Sequence, residues 1–280
     1  MKKISRRSFL AAAAVSAAAL ALTACGGSAS TASSAAASSV AASSEAASTS
    51  AAAAELTTVE AGKLTMATNA TFPPYEMTTD AGDIEGIDVE TAQAIADKLG
   101  LELQIDDMDF DAALLSVQQG KADIVMAGVT VTDERKAVMD FSDSYATGIQ
   151  SIIVPNDSEI ASPDDLAGKK IGTQRGTTGY IYCSDDFGED SVVAYDSGLT
   201  AVQALNNGQV DAVVIDNAPA TEYVAANPGL KVLDTSYAEE DYAIGMAKGS
   251  ALEDAVNKAL EELKADGTLQ AIVDKYINAN

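Results

Sequence analysis

From position 64 onward the chain alternates short apolar runs with stretches whose apolar residues recur at helical spacing. Residues 64–67 read as a strand. Over 88–99, Val89, Ala92, Ile95, Ala96 and Leu99 share one face of a 3.6-residue period, and Gly100 follows as a helix-ending cap. Residues 101–105 read as a strand, 111–119 as a second helix ended by Gly120, and 124–126 as a buried strand. This alternation predicts an α/β fold with largely parallel sheets.

The pattern then repeats. Residues 118–128 (QQGKADIVMAG) align without gaps on residues 206–216 (NNGQVDAVVID), each a helix end, a glycine, a buried strand and a polar or minimal residue. Each is followed by a helix start, Thr132-Asp133-Glu134 in one and Asn217-Ala218-Pro219 in the other. Two similar lobes are expected, with Gly128 and Asp216 just beyond equivalent strand ends, the edge where open α/β sheets bind ligands. Residues 149–154 and 242–247 read as extended crossings, 162–166 as a capped helical turn, and 251–276 as helical. Lobe one then comprises 56–148 and 244–280, and lobe two 149–243. Each is a mainly parallel sheet flanked by helices, and the two extended crossings form a hinge.

The first 55 residues differ in kind. Lys2, Lys3, Arg6 and Arg7 precede an apolar or small-residue stretch over 9–22, too short for the roughly 20 residues that span a membrane and fitting a signal peptide over 1–24. Ser5-Arg6-Arg7-Ser8-Phe9-Leu10 resembles the twin-arginine export signal and equally fits a plain secretion leader. Leu22-Thr23-Ala24-Cys25 resembles the lipobox of bacterial lipoproteins, which implies cleavage before Cys25 and a diacylglycerol on its sulfur. Residues 25–55 are nearly all Ala, Ser and Thr, with too little apolar side chain to offset the entropy of ordering, and read as a tether. With Cys25 lipidated, Cys183 has no partner, and its neighbours Tyr180 and Tyr182 suggest a packed thiol.

Charge excludes one class of partner. Thirteen basic residues remain after the leader against forty-two acids, a balance near −29. Such a polyanion does not bind nucleic acid through its surface. The chain has no histidine, which argues against a transition-metal site and a hydrolase triad. The run Asp107-Met108-Asp109-Phe110-Asp111 lacks the glycine and glutamate of a calcium loop, having Ala112 and Gln118 there. No cofactor is expected.

Several motifs carry the functional reading. Gly86-Ile87-Asp88-Val89-Glu90, Phe110-Asp111, residues 127–135 (AGVTVTDER) and Asp140-Phe141-Ser142-Asp143, in that order, resemble the polar amino-acid solute-binding family. The resemblance runs over about 64–277. It implies a type II periplasmic-binding-protein fold and a non-enzymatic protein that serves an ABC permease and its ATPase. The expected protein is exported, monomeric and lipid-anchored outside the cytoplasmic membrane, at the cell surface or in a periplasm.

Arg135 is informative without the family. It would lie in the first turn of a helix capped by Thr132, where the dipole suits Asp133 and Glu134 and opposes a cation. A surface ion pair and a ligand contact both explain it. The resemblance implies the second, a bidentate grip on an α-carboxylate. It likewise implies Thr130 and Thr178 as further carboxylate donors, the latter in the loop Arg175-Gly176-Thr177-Thr178-Gly179. Asp216 would take the α-ammonium with the carbonyl of Gly128, next to Ala127; by itself it reads equally as a helix cap. Phe72, held extended by Pro73, and Phe110 would cover the ligand's aliphatic stem, packing in the core being the other reading.

Departures from the family point to specificity. Asn69 stands where binders of basic amino acids commonly carry aspartate, and Ile215 is apolar where a glutamine-binding relative is polar. Gln174 and Arg175 could reach the side-chain pocket. A neutral polar amino acid such as glutamine or cystine is expected over lysine or arginine. The alternatives are an enzyme on the same fold, such as a cyclohexadienyl-type dehydratase, and a ligand-sensing module.

Overall fold

The computed structural model describes residues 56–277. The leader, Cys25 and the tether lie outside the described residues. Strand β1 (Lys63–Thr68) leads into a small antiparallel sheet of β2 (Thr71–Phe72), β3 (Glu76–Thr78) and β4 (Ile84–Glu85). Helix α1 (Ile87–Leu99) follows. Its N-cap Gly86 has φ 139°, and a Cβ there would stand 2.1 Å from the Tyr75 carbonyl oxygen, so only glycine fits. Gly100 closes the helix in the left-handed conformation, as its sequence position predicts.

The first sheet has the order β5-β1-β6-β14-β7. Strands β5 (Glu102–Asp107) and β6 (Ile124–Val125), joined by α2 (Phe110–Gln118), both run parallel to β1. Helix α3 (Asp133–Val138) then leads to β7 (Met139–Phe141). The second sheet has the order β10-β9-β11-β8-β12, with β13 also paired to β8. It contains β8 (Ala146–Pro155), β9 (Ile171–Gln174), β10 (Val192–Tyr195), β11 (Ala212–Asp216), β12 (Leu230–Val232) and β13 (Ala238–Tyr242), with α4 (Thr178–Phe187), α5 (Gly198–Asn206) and α6 (Asn217–Ala225) between them. The chain returns to the first sheet as β14 (Gly245–Ala247), followed by α7 (Glu253–Ala265) and α8 (Thr268–Ile277).

Each sheet is parallel where successive strand–helix units build it and antiparallel where the crossing strands join. The crossings themselves fall at 142–145, ahead of the extended run 149–154, and at 243–244, within the run 242–247, and both are shorter than those runs. Strand β8 already belongs to the second sheet, and β13 gives way to β14 because the two pair in different sheets. The crossings are bonded to each other: the Ser142 amide donates to the Ile244 carbonyl and the Tyr145 amide to the Tyr242 carbonyl, each at 2.9 Å. The long helical stretch after 251 is broken at Gly267, which has φ 82°.

The sequence repeat is also a backbone repeat. The C-cap residues Gln119 and Asn207 have φ/ψ of −89/1° and −87/2°, and Gly120 and Gly208 follow with φ 65° and 67°. Leu64, Met66, Ile95 and Ile124 are fully buried in the first lobe, and Ile152, Ile153, Ile171 and Val213 in the second. Burying each such side chain stabilises the fold by about 1.5–3 kcal/mol.

Candidate functional site

The C-terminal ends of the parallel strands in both sheets face one cleft, the usual ligand edge of this architecture. Asn69 follows β1, Phe72 lies on β2 and Phe110 opens α2. Ala127 and Gly128 follow β6, and Thr130 and Arg135 bracket the start of α3. From the second lobe, Gln174 ends β9, Thr178 opens α4 and Asp216 ends β11. All ten line a single cavity, with Glu76, Gln150, Thr177, Val214 and Ile215.

Thr132 caps α3 by accepting the Arg135 amide at 3.2 Å, which fixes the arginine in the first turn. Its guanidinium is buried. It donates to the Thr130 carbonyl at 2.7 Å and, across the cleft, to the Gly176 carbonyl at 3.2 Å. The Phe110 ring lies beneath it, 5.4 Å from centroid to guanidinium carbon. Burial holds the guanidinium below its ordinary pKa, opposed by the nearby charge of Glu240. Two of its five N–H groups are directed at backbone, and three donors remain.

On the facing side Thr177 caps α4, accepting the Tyr180 amide at 3.4 Å. Thr178 is the first helical residue, and its hydroxyl oxygen stands 3.4 Å from that of Thr130. Arg175, expected near the side-chain pocket, is instead exposed. It donates to the Ala194 carbonyl at 3.3 Å and lies 3.8 Å from Asp196, drawn outward by acceptors at the edge strand β10.

Asp216 occupies the N-cap position of α6 but makes no side-chain capping bond. Its carboxylate turns into the cleft, where Gln150 Nε2 donates to it at 2.7 Å. Burial pushes its pKa up to about 7, against the lowering effect of Tyr242 and Gln150. Gly128 has φ 56°, and a Cβ on it would fall 2.9 Å from the Phe72 ring, so a bare backbone is required there. Its amide donates to Asp88 Oδ2 at 3.0 Å, which fixes the peptide that joins it to Ala127.

The remaining wall is uncharged. Asn69 Oδ1 accepts from Gln174 Nε2 at 2.9 Å and from the Thr71 hydroxyl at 2.9 Å, while its amide donates to the Met108 carbonyl at 2.9 Å. Glu76 faces the cavity, but burial and the adjacent Asp88 push its pKa well above the usual carboxylate range. Burial thus disfavours its ionised form.

Sequence reasoning missed Gln150, Glu76 and Glu240. Glu240 is buried and bonded to both Thr130 and Thr178. Its signal was the two-residue period of residues 238–242, which puts Glu240 on the side of Tyr242 and away from Glu239 and Asp241. Among the described residues no group of His, Cys, Asp and Glu could hold a metal ion, and no helix is long and apolar enough to cross a membrane.

Comparison with known proteins agrees with this geometry. Residues 64–279 match the family described as bacterial extracellular solute-binding proteins, family 3. The L-cystine-binding protein TcyJ of Escherichia coli (strain K12) is 34% identical over 225 residues, covering 79% of this chain and 85% of TcyJ. The crystal structure of the arginine-, lysine-, histidine-binding protein ArtJ from Geobacillus stearothermophilus superposes with a TM-score of 0.74 at 34% identity, covering 78% of this chain and 96% of that one. An ancestral arginine-binding protein bound to glutamine gives 0.72 at 42% identity, covering 77% and 98%. These neighbours share the two-lobed type II periplasmic-binding-protein architecture described above. With the match spanning nearly the whole described chain, the protein belongs to the bacterial extracellular solute-binding proteins of family 3.

Proposed function

We propose that this chain captures a free amino acid between its two lobes by hinge closure and delivers it to an ABC permease and its ATPase. One observation carries the reading: a buried guanidinium from the first lobe, Arg135, and a buried carboxylate from the second, Asp216, line the same cavity. A zwitterion needs one of each, because an unpaired charge in a closed cleft is costly. The cavity is lined from both lobes, so an amino acid enters by parting them and closure follows.

The ligand we favour is neutral and polar, such as glutamine or cystine. Its support is the amide pair Asn69 and Gln174, which offers no ionised counter-charge to a cationic side chain. The cystine-binding TcyJ fits this choice. Calorimetric titration of the exported chain with the twenty amino acids and cystine tests it. Binding of glutamine or cystine at micromolar affinity or better is expected. Binding of arginine with none of either would overturn the neutral-ligand choice, and binding of no amino acid would overturn the whole reading.

The chain is further proposed to be held at the outer face of the cytoplasmic membrane by lipid on Cys25, as a monomer. Metabolic labelling with a fatty acid should mark the wild type and leave Cys25→Ala unlabelled.

A further inference from the structure

Strand β13 is the part of the hinge ribbon that pairs along β8, with Glu240 opposite Gly148. Glu239 and Asp241 point to solvent, while Glu240 is only 6% exposed. One of its oxygens, Oε2, receives three donors: the Thr178 hydroxyl at 2.9 Å, Gln150 Nε2 at 3.0 Å and the Thr130 hydroxyl at 3.1 Å. Thr130 belongs to the first lobe, its backbone bridged to Tyr242 at the end of β13, while Thr178 and Gln150 belong to the second. A buried carboxylate is costly unless its hydrogen bonds and counter-charge are supplied. Here the donors come from both lobes, and Arg135 is the neighbouring cation.

We infer that Glu240 is a positioning residue, an interlobe latch that ties closure of the cleft to the hinge. Thr178, Gln150 and Glu240 all belong to the second lobe, so the bond from Thr130 is the one that joins the lobes and favours the closed form selectively, and only such a difference shifts the equilibrium. Without an acceptor between them, the two hydroxyls would abut with their protons undirected.

The latch rests on the amino-acid reading in one arm of its test and stands free of it in the other. In the first arm, L-glutamine, L-cystine and L-arginine are titrated against wild type, Glu240→Gln and Glu240→Ala, and dissociation is followed by stopped flow. Removing a charge-assisted acceptor should weaken binding by roughly ten- to hundredfold in E240A. The loss should be carried by faster dissociation, with association within about threefold. In E240Q the amide oxygen still accepts, and affinity should stay within about fivefold of wild type. A merely structural role would lower the melting temperature and the active fraction without changing the dissociation rate of the folded fraction. In the second arm, hydrogen exchange is measured with no amino acid added. Faster exchange in E240A at residues 130–135 and 176–180, with β1 unchanged, supports the latch. Affinity and dissociation within twofold of wild type in E240A, or exchange that is unchanged or rises equally in β1, overturns it. If no probe binds the wild type, the amino-acid reading falls, and the exchange arm alone decides the latch. Should E240A not fold, Glu240→Asp, one methylene short of both hydroxyls, takes its place with the same expectations.

Discussion

Asn69 of the first lobe accepts a hydrogen bond from Gln174 of the second at 2.9 Å, joining two uncharged amides across the cleft. The contact makes residue 69 a point where ligand chemistry and closure meet. Replacing Asn69 by Asp keeps the acceptor for Gln174 and Thr71, forfeits the donor to Met108 and adds a charge. The preference for arginine over glutamine should rise at least tenfold, while affinity for whichever amino acid binds best changes less. Competition calorimetry with the two ligands measures that ratio directly.

Arg135 should tolerate nothing. In Arg135→Ala the ligand carboxylate would be buried without its partner, a loss of about 3 kcal/mol or a hundredfold and more in affinity. Arg135→Lys keeps the charge but not the planar fork. It also cannot serve the Thr130 and Gly176 carbonyls together, so a loss of at least tenfold is expected. Both are read by titration with the amino acid that the wild type binds.

Protonation should oppose ligand binding. Burial raises the pKa of Asp216 to about 7 and that of Asp88 to about 6. Groups raised above their unfolded values add stability that is complete below about pH 4 and lost as pH climbs through 6 to 7. An ammonium needs the ionised form of Asp216, so affinity should move the other way, falling by up to tenfold per pH unit below about 7. Calorimetry at pH 5.5 in two buffers of different ionisation enthalpy should show proton release on binding, and at pH 8.5 none from Asp216. Asp216→Asn should bind weakly and lose its share of the pH dependence.

Gly148 on β8 has no room for a side chain. A Cβ there would stand 2.6 Å from Asp216 Oδ1 and 2.5 Å from the Tyr242 ring. Tyr242 is fully buried, so the ring cannot simply swing away. Gly148→Ala should cost about 1–3 kcal/mol of stability through overpacking and displace Asp216 as well. A lowered melting temperature together with a tenfold or greater loss of affinity is the expected result.

The strand–helix order and the repeat were legible because period and glycine placement are local properties: Gly100, Gly120 and Gly208 end their helices where the sequence implies. The ten cleft residues were legible largely through their ordered motifs. What stayed hidden depends on long-range pairing. The crossings at 142–145 and 243–244 are set by which sheet each strand joins, and a run such as 242–247 carries no mark of the switch. Glu240 was passed over because an acid among acids in Glu239-Glu240-Asp241 reads as solvated surface, and only the pairing of β13 with β8 turns it inward. Arg175 was misjudged for the converse reason, since its partners Ala194 and Asp196 arrive from a separate strand.

Helices α7 and α8 pack back onto α1, burying Leu260, Leu263 and Ile272 in the core of the first lobe. A ribosome working along this chain therefore completes the second lobe while the first still waits for its closing pieces. A frameshift near position 250 would spare the most recently made half and strip the oldest one of its cover.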